Sequence, residues 1–206
     1  MACLSSFQPI RPPFETSQEK IFDWLVDAHS LSEEREELRA RLLRVGCKAI
    51  AKRGHILPDF LHREWDKMEI YRLHEHKTGL LLSARSKRFD GFVTQVFEEY
   101  YPSGGFPPDD LIHVSCTGYV SPSGAQKIVS KRGWGVKTTV THAYHMGCYA
   151  AFPAIRMGNG FLNSGKKKID IVHTEISSLH LDPSQHDAEQ LVIQTLFADG
   201  FIKYSL

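Results

Sequence analysis

Cysteines are few in this sequence, and none is placed as a zinc ligand pair. The 206-residue chain has four, widely spaced and without a Cys-x-x-C pair: Cys3, Cys47, Cys116 and Cys148. This spacing argues against a zinc ribbon and against the disulfide framework of a small secreted protein. A reducing compartment fits better, so we expect a cytoplasmic protein without a metal site.

The sequence also lacks an excess of charge and any long hydrophobic run. Its 25 basic and 24 acidic residues leave a net charge of +1, which supplies no strong field for nucleic acid or lipid. Residues 1–14 lack the basic region and apolar core of a secretory signal, and no apolar run approaches membrane-spanning length. We therefore expect a soluble protein that neither binds nucleic acid nor spans a membrane.

Strands and helices alternate in the second half of the sequence. From residue 111 onward the predicted order is strand, helix, strand, helix, strand, helix, strand, which favours an α/β layer. Ser121-Pro122 is predicted to provide the N-cap and first residue of one of these helices. The last strand is expected over residues 201–206.

In the first half of the sequence, a short strand at 2–10 and two helices are predicted, and residues 56–77 have no clear pattern. Ser17 is the expected N-cap of one helix, and Ser32-Glu33-Glu34 should cap a second helix that continues to about Arg53. A long helix with an aromatic stripe should follow from about Ser86.

Residues 138–157 contain the most informative change of pattern. A β-branched strand pattern reaches Thr141, and apolar residues at helical spacing follow from Tyr149, so the junction falls near Gly147-Cys148. Cys148 is then predicted to open a helix, where the positive end of the macrodipole favours a thiolate nucleophile. The alternative is a small, buried, apolar cysteine.

Four ordered segments resemble one enzyme family. His145-Met-Gly-Cys-Tyr-Ala-Ala resembles the nucleophile elbow of thiolase-fold condensing enzymes, most closely the type III polyketide synthases related to chalcone synthase. The other three are Val114-Ser-Cys-Thr-Gly-Tyr-Val-Ser-Pro-Ser-Gly-Ala, Val172-His-Thr-Glu-Ile-Ser-Ser-Leu-His and Gln194-Thr-Leu-Phe-Ala-Asp-Gly. Together they cover nearly the whole chain and about the first half of a family member.

This resemblance implies the N-terminal half of a thiolase-like layered fold over residues 1–206, with a mixed, largely parallel sheet and helices on both faces. It implies an acyltransferase of the polyketide or 3-oxoacyl synthase type, in which Cys148 accepts an acyl group from acyl-CoA and malonyl-CoA extends it by decarboxylative condensation. The resemblance further implies that both CoA thioesters are substrates and that no cofactor is bound covalently. The family's catalytic His and Asn lie in its C-terminal half, so activity is expected only with that half, in an assembled unit that forms a homodimer.

The resemblance also assigns further site residues. Basic groups suit phosphate oxygens, and the positions that match the family's CoA-binding residues are Arg41, Arg44 and Lys48. The substrate pocket is assigned to Cys116, Thr117 and a gate at His180 or Leu181, and an aliphatic or histidine gate suggests fatty acyl starters. Without the resemblance, the cations of the second helix would be interpreted as a solvated face.

Two alternatives remain open from the sequence. One is a non-catalytic thiolase-fold subunit that acts only as a partner, and the other is a metal protein that uses His142, His145 and Cys148. In a half fold, one face of the sheet and an edge strand at 201–206 are expected to lack cover. That exposed surface predicts association with a complementary C-terminal half.

Overall fold

The computed structural model describes residues 3–31 and 34–206. It divides into two compact units, which are described separately. In chain order the elements are β1 (Ser5–Ile10), β2 (Phe14–Ser17), α1 (Gln18–His29), α2 (Arg35–Val45), β3 (Lys52–His55), α3 (Leu82–Tyr100), β4 (Asp110–Ser115), α4 (Gly124–Lys131), β5 (Thr139–Tyr144), α5 (Ala151–Asn163), β6 (Ile169–Glu175), α6 (Ala188–Leu196) and β7 (Gly200–Ser205).

The first unit contains a mixed sheet with the strand order β1-β7-β6-β4-β5. Strand β4 runs parallel to β5 and to β6, whereas β7 is antiparallel to both β6 and β1. The expectation that residues 201–206 form an edge strand is therefore wrong. Strand β1 pairs with β7, Ile10 opposite Phe201, and this long-range pairing places β7 inside the sheet.

Helices cover this sheet on both faces, as predicted. On one face Ala154 of α5 joins a buried cluster with strand residues that include Ile112 and Ile171. A Cβ on Gly158 would lie 2.9 Å from Leu206 Cδ1, so glycine allows α5 to approach the sheet closely. On the other face the ring of Phe97 from α3 meets His113 of β4 at a centroid distance of 4.8 Å.

The expected uncovered sheet face is absent from the described residues because α5 lies over it. Exposed apolar side chains are found on α5 and in the turn before it, as well as at other positions of this unit such as Phe106 and Val136. Phe152 is 65% exposed and Tyr149 is 57% exposed. Exposed apolar side chains are thus present on the helix layer that covers this face, rather than on the sheet itself.

The second unit is built from α1, α2, α6 and the antiparallel pair β2–β3. Ser17 caps α1 as predicted, because its side chain accepts a hydrogen bond from Lys20 N. Trp24 is fully buried against Phe60, Trp65 and Tyr71. This aromatic cluster forms a core for the unit.

The predicted end of α2 and the predicted start of α4 are wrong. Helix α2 ends at Val45 rather than near Arg53, because residues 52–55 pair with β2 as strand β3. Helix α4 begins at Gly124 with Ser123 as its N-cap, and Ser123 and Gln126 form a capping box. The Ser121-Pro122 bond is cis and precedes this cap. The predicted cap at Ser32 and Glu33 lies outside the described residues.

Candidate active site

Cys148 is an exposed free thiol in the turn between β5 and α5. The alternative of a buried apolar cysteine is therefore wrong. The thiol does not open the helix as predicted, since α5 begins at Ala151. Pro153 has no N–H to donate to the carbonyl of Tyr149. The regular α-helical hydrogen bonds therefore begin with Ala154 N, which donates to Ala150 O at 3.2 Å. Cys148 lies on the N-terminal side of this first turn.

The turn that carries Cys148 is held against the end of β4. His145 N donates a hydrogen bond to Ser115 O at 3.0 Å, and Gly147 N donates a hydrogen bond to Cys116 Sγ at 3.1 Å. Gly147 has φ +77° and His145 has φ +56°, so the chain turns through left-handed conformations that glycine adopts without strain. These contacts fix the position of the backbone directly before the thiol.

Glu175, the last residue of β6, connects a second strand end to this region. Its two carboxylate oxygens accept from Cys116 N at 3.0 and 3.1 Å, and one also accepts from Thr117 Oγ1 at 2.8 Å. Burial raises the pKa of Glu175, and these hydrogen bonds act in the opposite direction. Sequence reasoning did not select this residue, although it lies within one of the four segments on which the resemblance was based.

The parallel strands β4, β5 and β6 end on the same edge of the sheet. Their carboxyl ends are followed by Cys116 and Thr117, by the turn that contains Cys148, and by the loop after Glu175. In α/β sheets this edge is where ligands usually bind. The structure therefore brings together three of the predicted site residues, Cys148, Cys116 and Thr117.

The two histidines near Cys148 lie in different environments. His142 Nε2 is 2.8 Å from Ser123 Oγ, and burial lowers its pKa. His145 is exposed after the end of β5. Among residues 3–31 and 34–206, no three His, Cys, Asp or Glu side chains form a group that could hold a metal ion. The alternative site of His142, His145 and Cys148 is therefore not formed.

The predicted CoA-binding and gate residues lie in the second unit. Arg41 on α2 donates to the carbonyl of His186, and Arg44 near the end of that helix is exposed. Lys48 is exposed too but lies after the helix rather than on it, which corrects its predicted location. At the gate position, His180 is exposed and Leu181 is buried.

The part of the chain that the structure describes includes no helix long and apolar enough to cross a membrane. No protein-family model matches the sequence, and no curated protein matches it.

Solved structures are similar to the chain over nearly its whole length. The C-terminal type III polyketide synthase domain of Steely1 from Dictyostelium has a TM-score of 0.76 at 20% identity, covering 97% of this chain and 54% of that one. 1,3,6,8-Tetrahydroxynaphthalene synthase from Streptomyces coelicolor A3(2) has a TM-score of 0.75 at 20% identity, covering 100% of this chain and 56% of that one. PKS-I from the brown alga Ectocarpus siliculosus has a TM-score of 0.79 at 19% identity, covering 97% of this chain and 54% of that one. The chain therefore has the fold of the type III polyketide synthases, as predicted, and spans about half the length of these proteins.

Proposed function

We propose that this chain provides the nucleophile of an acyl-thioester condensing enzyme of the type III polyketide synthase kind. The observation that carries the proposal is the exposed Cys148 thiol in a turn at the carboxyl edge of three parallel strands. Gly147 N of this turn donates a hydrogen bond to Cys116 Sγ, and the backbone N–H of Cys116 donates a hydrogen bond to the Glu175 carboxylate. A positioned thiol at a ligand-binding edge is suited to covalent acyl transfer.

In the proposed reaction, the Cys148 thiolate attacks the thioester carbonyl of an acyl-CoA. The carbon–sulfur bond to CoA breaks, CoA leaves as its thiolate and takes up a proton, and the acyl group remains on Cys148. Malonyl-CoA then loses CO₂, and the resulting carbanion attacks the acyl carbonyl. The new carbon–carbon bond expels the Cys148 thiolate, which returns to its starting state.

Such a reaction also needs a base for the thiol and hydrogen-bond donors for the oxyanion. We assign these roles to a His and an Asn of a complementary C-terminal half, by similarity to the family. The exposed aromatic side chains of Tyr149, in the turn before α5, and of Phe152, on α5, give this surface the apolar character expected of one covered by that half. In this proposal the assembled unit forms a homodimer.

We further propose that exposed Arg44 and Lys48 contact the phosphate groups of CoA. Arg41 is less suited to that role than its position in the family implies, because it already donates to the carbonyl of His186.

Intact-mass analysis after incubation with hexanoyl-CoA tests the acyl transfer. We expect one hexanoyl addition on the wild-type chain, none on Cys148→Ala, and an unchanged addition on Cys3→Ala, which removes another exposed thiol. The incubation is made with the chain alone and with the C-terminal half of a type III polyketide synthase added. Equal labelling of Cys148→Ala and the wild type would exclude Cys148 as the acceptor. No labelling in either incubation would favour the non-catalytic subunit.

A further inference from the structure

Two of the four cysteines lie close together in the first unit. Cys116 directly follows β4, and Cys148 lies in the turn between β5 and α5. The sulfur of Cys116 is 3.1 Å from Gly147 N and 3.8 Å from Gly147 O. It therefore contacts the residue that directly precedes Cys148.

The peptide bond between Gly147 and Cys148 brings the second cysteine within reach of this sulfur. The bond is trans, so the Gly147 oxygen and the Cα of Cys148 lie on the same side of it, about 2.8 Å apart. Because Cys116 Sγ is 3.8 Å from that oxygen, the Cα of Cys148 is within about 7 Å of the sulfur. A disulfide spans about 4.4–6.8 Å between its two Cα atoms, so rotation of the side chains with a small shift of the turn can join the two sulfurs.

The structure holds Cys116 in place and leaves room around the turn. Cys116 N donates to both carboxylate oxygens of Glu175, at 3.0 and 3.1 Å. A Cβ added to Gly147 would have only Tyr149 within 4 Å, at 3.8 Å. The turn that carries Cys148 is thus not packed beneath other side chains, and it can move towards Cys116.

The other two cysteines are placed differently. Cys47 belongs to the second unit. Cys3 precedes β1, whose Ser5 pairs with Ser205 and is thereby aligned with the start of β6. Cys3 therefore lies at the opposite end of the sheet from Cys148, which leaves Cys116 as the partner for the exposed Cys148 thiol.

We propose that Cys148 and Cys116 form a reversible intramolecular disulfide when the chain is exposed to hydrogen peroxide. The Cys148 thiolate attacks one peroxide oxygen, the O–O bond breaks, and hydroxide leaves. The Cys116 thiolate then attacks the sulfur of the resulting sulfenic acid, the S–O bond breaks, and a second hydroxide leaves. The two thiol protons convert the hydroxides to water, so the two thiols lose two electrons and one peroxide gains them.

The disulfide follows from the position of the two cysteines, whereas its consequence rests on the proposed function. A Cys148 sulfur that is bonded to Cys116 cannot attack a thioester. Oxidation therefore stops acyl transfer, and reduction of the disulfide by a dithiol restores it.

Peptide mapping under non-reducing conditions tests the disulfide. The full chain is reduced, desalted, treated with hydrogen peroxide, blocked with N-ethylmaleimide and digested with trypsin. We expect peptides 89–127 and 138–156, which contain Cys116 and Cys148, to be joined and to separate on treatment with dithiothreitol. Because the two thiols are held near each other in one folded unit, this link should exceed that of any other cysteine pair by roughly tenfold or more.

Two serine variants serve as the matched pair. Cys116→Ser should not form the link, and its Cys148 should remain a sulfenic acid that dimedone labels. Cys3→Ser, which removes another exposed thiol, should form the link as the wild type does. Circular dichroism establishes that each variant is folded. If Cys116→Ser does not fold, comparison of the wild type in buffer and in urea decides the question, because unfolding should distribute the links over all cysteine pairs.

The proposal is overturned if the wild type forms no link between these peptides at any peroxide concentration, if other cysteine pairs are linked equally in the folded chain, or if the links join two chains on a non-reducing gel. Hexanoyl transfer is measured separately, before and after oxidation. A chain that forms the disulfide but accepts no hexanoyl group in its reduced form would refute the proposed acyl transfer and leave the disulfide established.

Discussion

Replacing His113 with glutamine should reduce the loss of the chain's folding stability that occurs when the pH falls. His113 is 1% exposed in the middle of the first unit, with Nδ1 2.6 Å from the Tyr144 hydroxyl and Nε2 2.9 Å from Thr174 Oγ1. Burial is the main cause that lowers its pKa to about 3. The folded state therefore keeps this imidazole neutral under conditions in which an unfolded histidine takes up a proton.

The direction of the effect follows from proton binding in the two states. An unfolded histidine titrates near pH 6.5, so between that pH and about 3 the unfolded chain binds more protons at this position. Stability is therefore fully present above pH 6.5 and is lost progressively as the pH falls towards 3. At pH 5 the loss from His113 alone is about 2 kcal/mol. Asp199 has the opposite effect on stability as the pH falls. Its raised pKa makes the folded state bind more protons than the unfolded state between about pH 4 and pH 6, so its contribution to stability increases over that range.

Measuring the wild type and the variant at two pH values isolates the contribution of His113 to the pH dependence of stability. Urea unfolding is measured at pH 7 and pH 5 for the wild type and for His113→Gln, with the fluorescence of buried Trp134 as one reporter in the same unit. The pH-independent cost of the substitution cancels in the difference, and the variant should lose about 2 kcal/mol less between the two pH values. His76→Gln, at an exposed position, is the control. A loss in His113→Gln as large as in the wild type would refute the reasoning.

Three further predictions concern the proposed function. Under limiting iodoacetamide, Cys148 should be alkylated before Cys116, because Cys148 is exposed while Cys116 is partly buried with its sulfur beside Gly147 N; peptide mapping that finds Cys116 modified first would contradict this order. Alanine at Arg44 and Lys48 should weaken CoA binding several-fold, more at low salt than at high salt. The control Arg39→Ala removes an α2 cation that is paired with Asp23 of α1, and it should leave the dissociation constant for CoA unchanged. Equal dissociation constants in all variants would indicate a solvated helix face. In size-exclusion chromatography with light scattering, the chain alone should self-associate or aggregate, and a monomer with a cooperative melt would contradict the need for a complementary half.

Local patterns predicted the elements of this fold better than their pairing. The aromatic stripe of α3 is buried as its spacing indicates, for example at Phe89, Val93 and Phe97. Strand β7 was expected at an edge because no local feature shows that β1 pairs with it. Short-range periodicity carries no information on which distant strand becomes a neighbour.

The candidate site was predicted in part for the same reason. Cys148 was found from the change of period and from the resemblance, but its distance from the helix start depended on the missing N–H of Pro153. Glu175 was missed because a glutamate at a strand end is common on a surface, and only the tertiary structure shows it holding Cys116 and Thr117.

The position of β7 between β6 and β1 also constrains the order in which the sheet can form during synthesis. Strand β4 pairs with β5 on one side and with β6 on the other, so this part of the sheet can assemble before residue 200 has left the ribosome. Strand β1 has β7 as its neighbour in the sheet, and β7 is made nearly two hundred residues later. Because closing so long a loop is slow, β1 is synthesised well before the other four strands of this sheet but pairs with β7 only after they have been made. Until then β1 remains an unpaired segment that chaperones can bind.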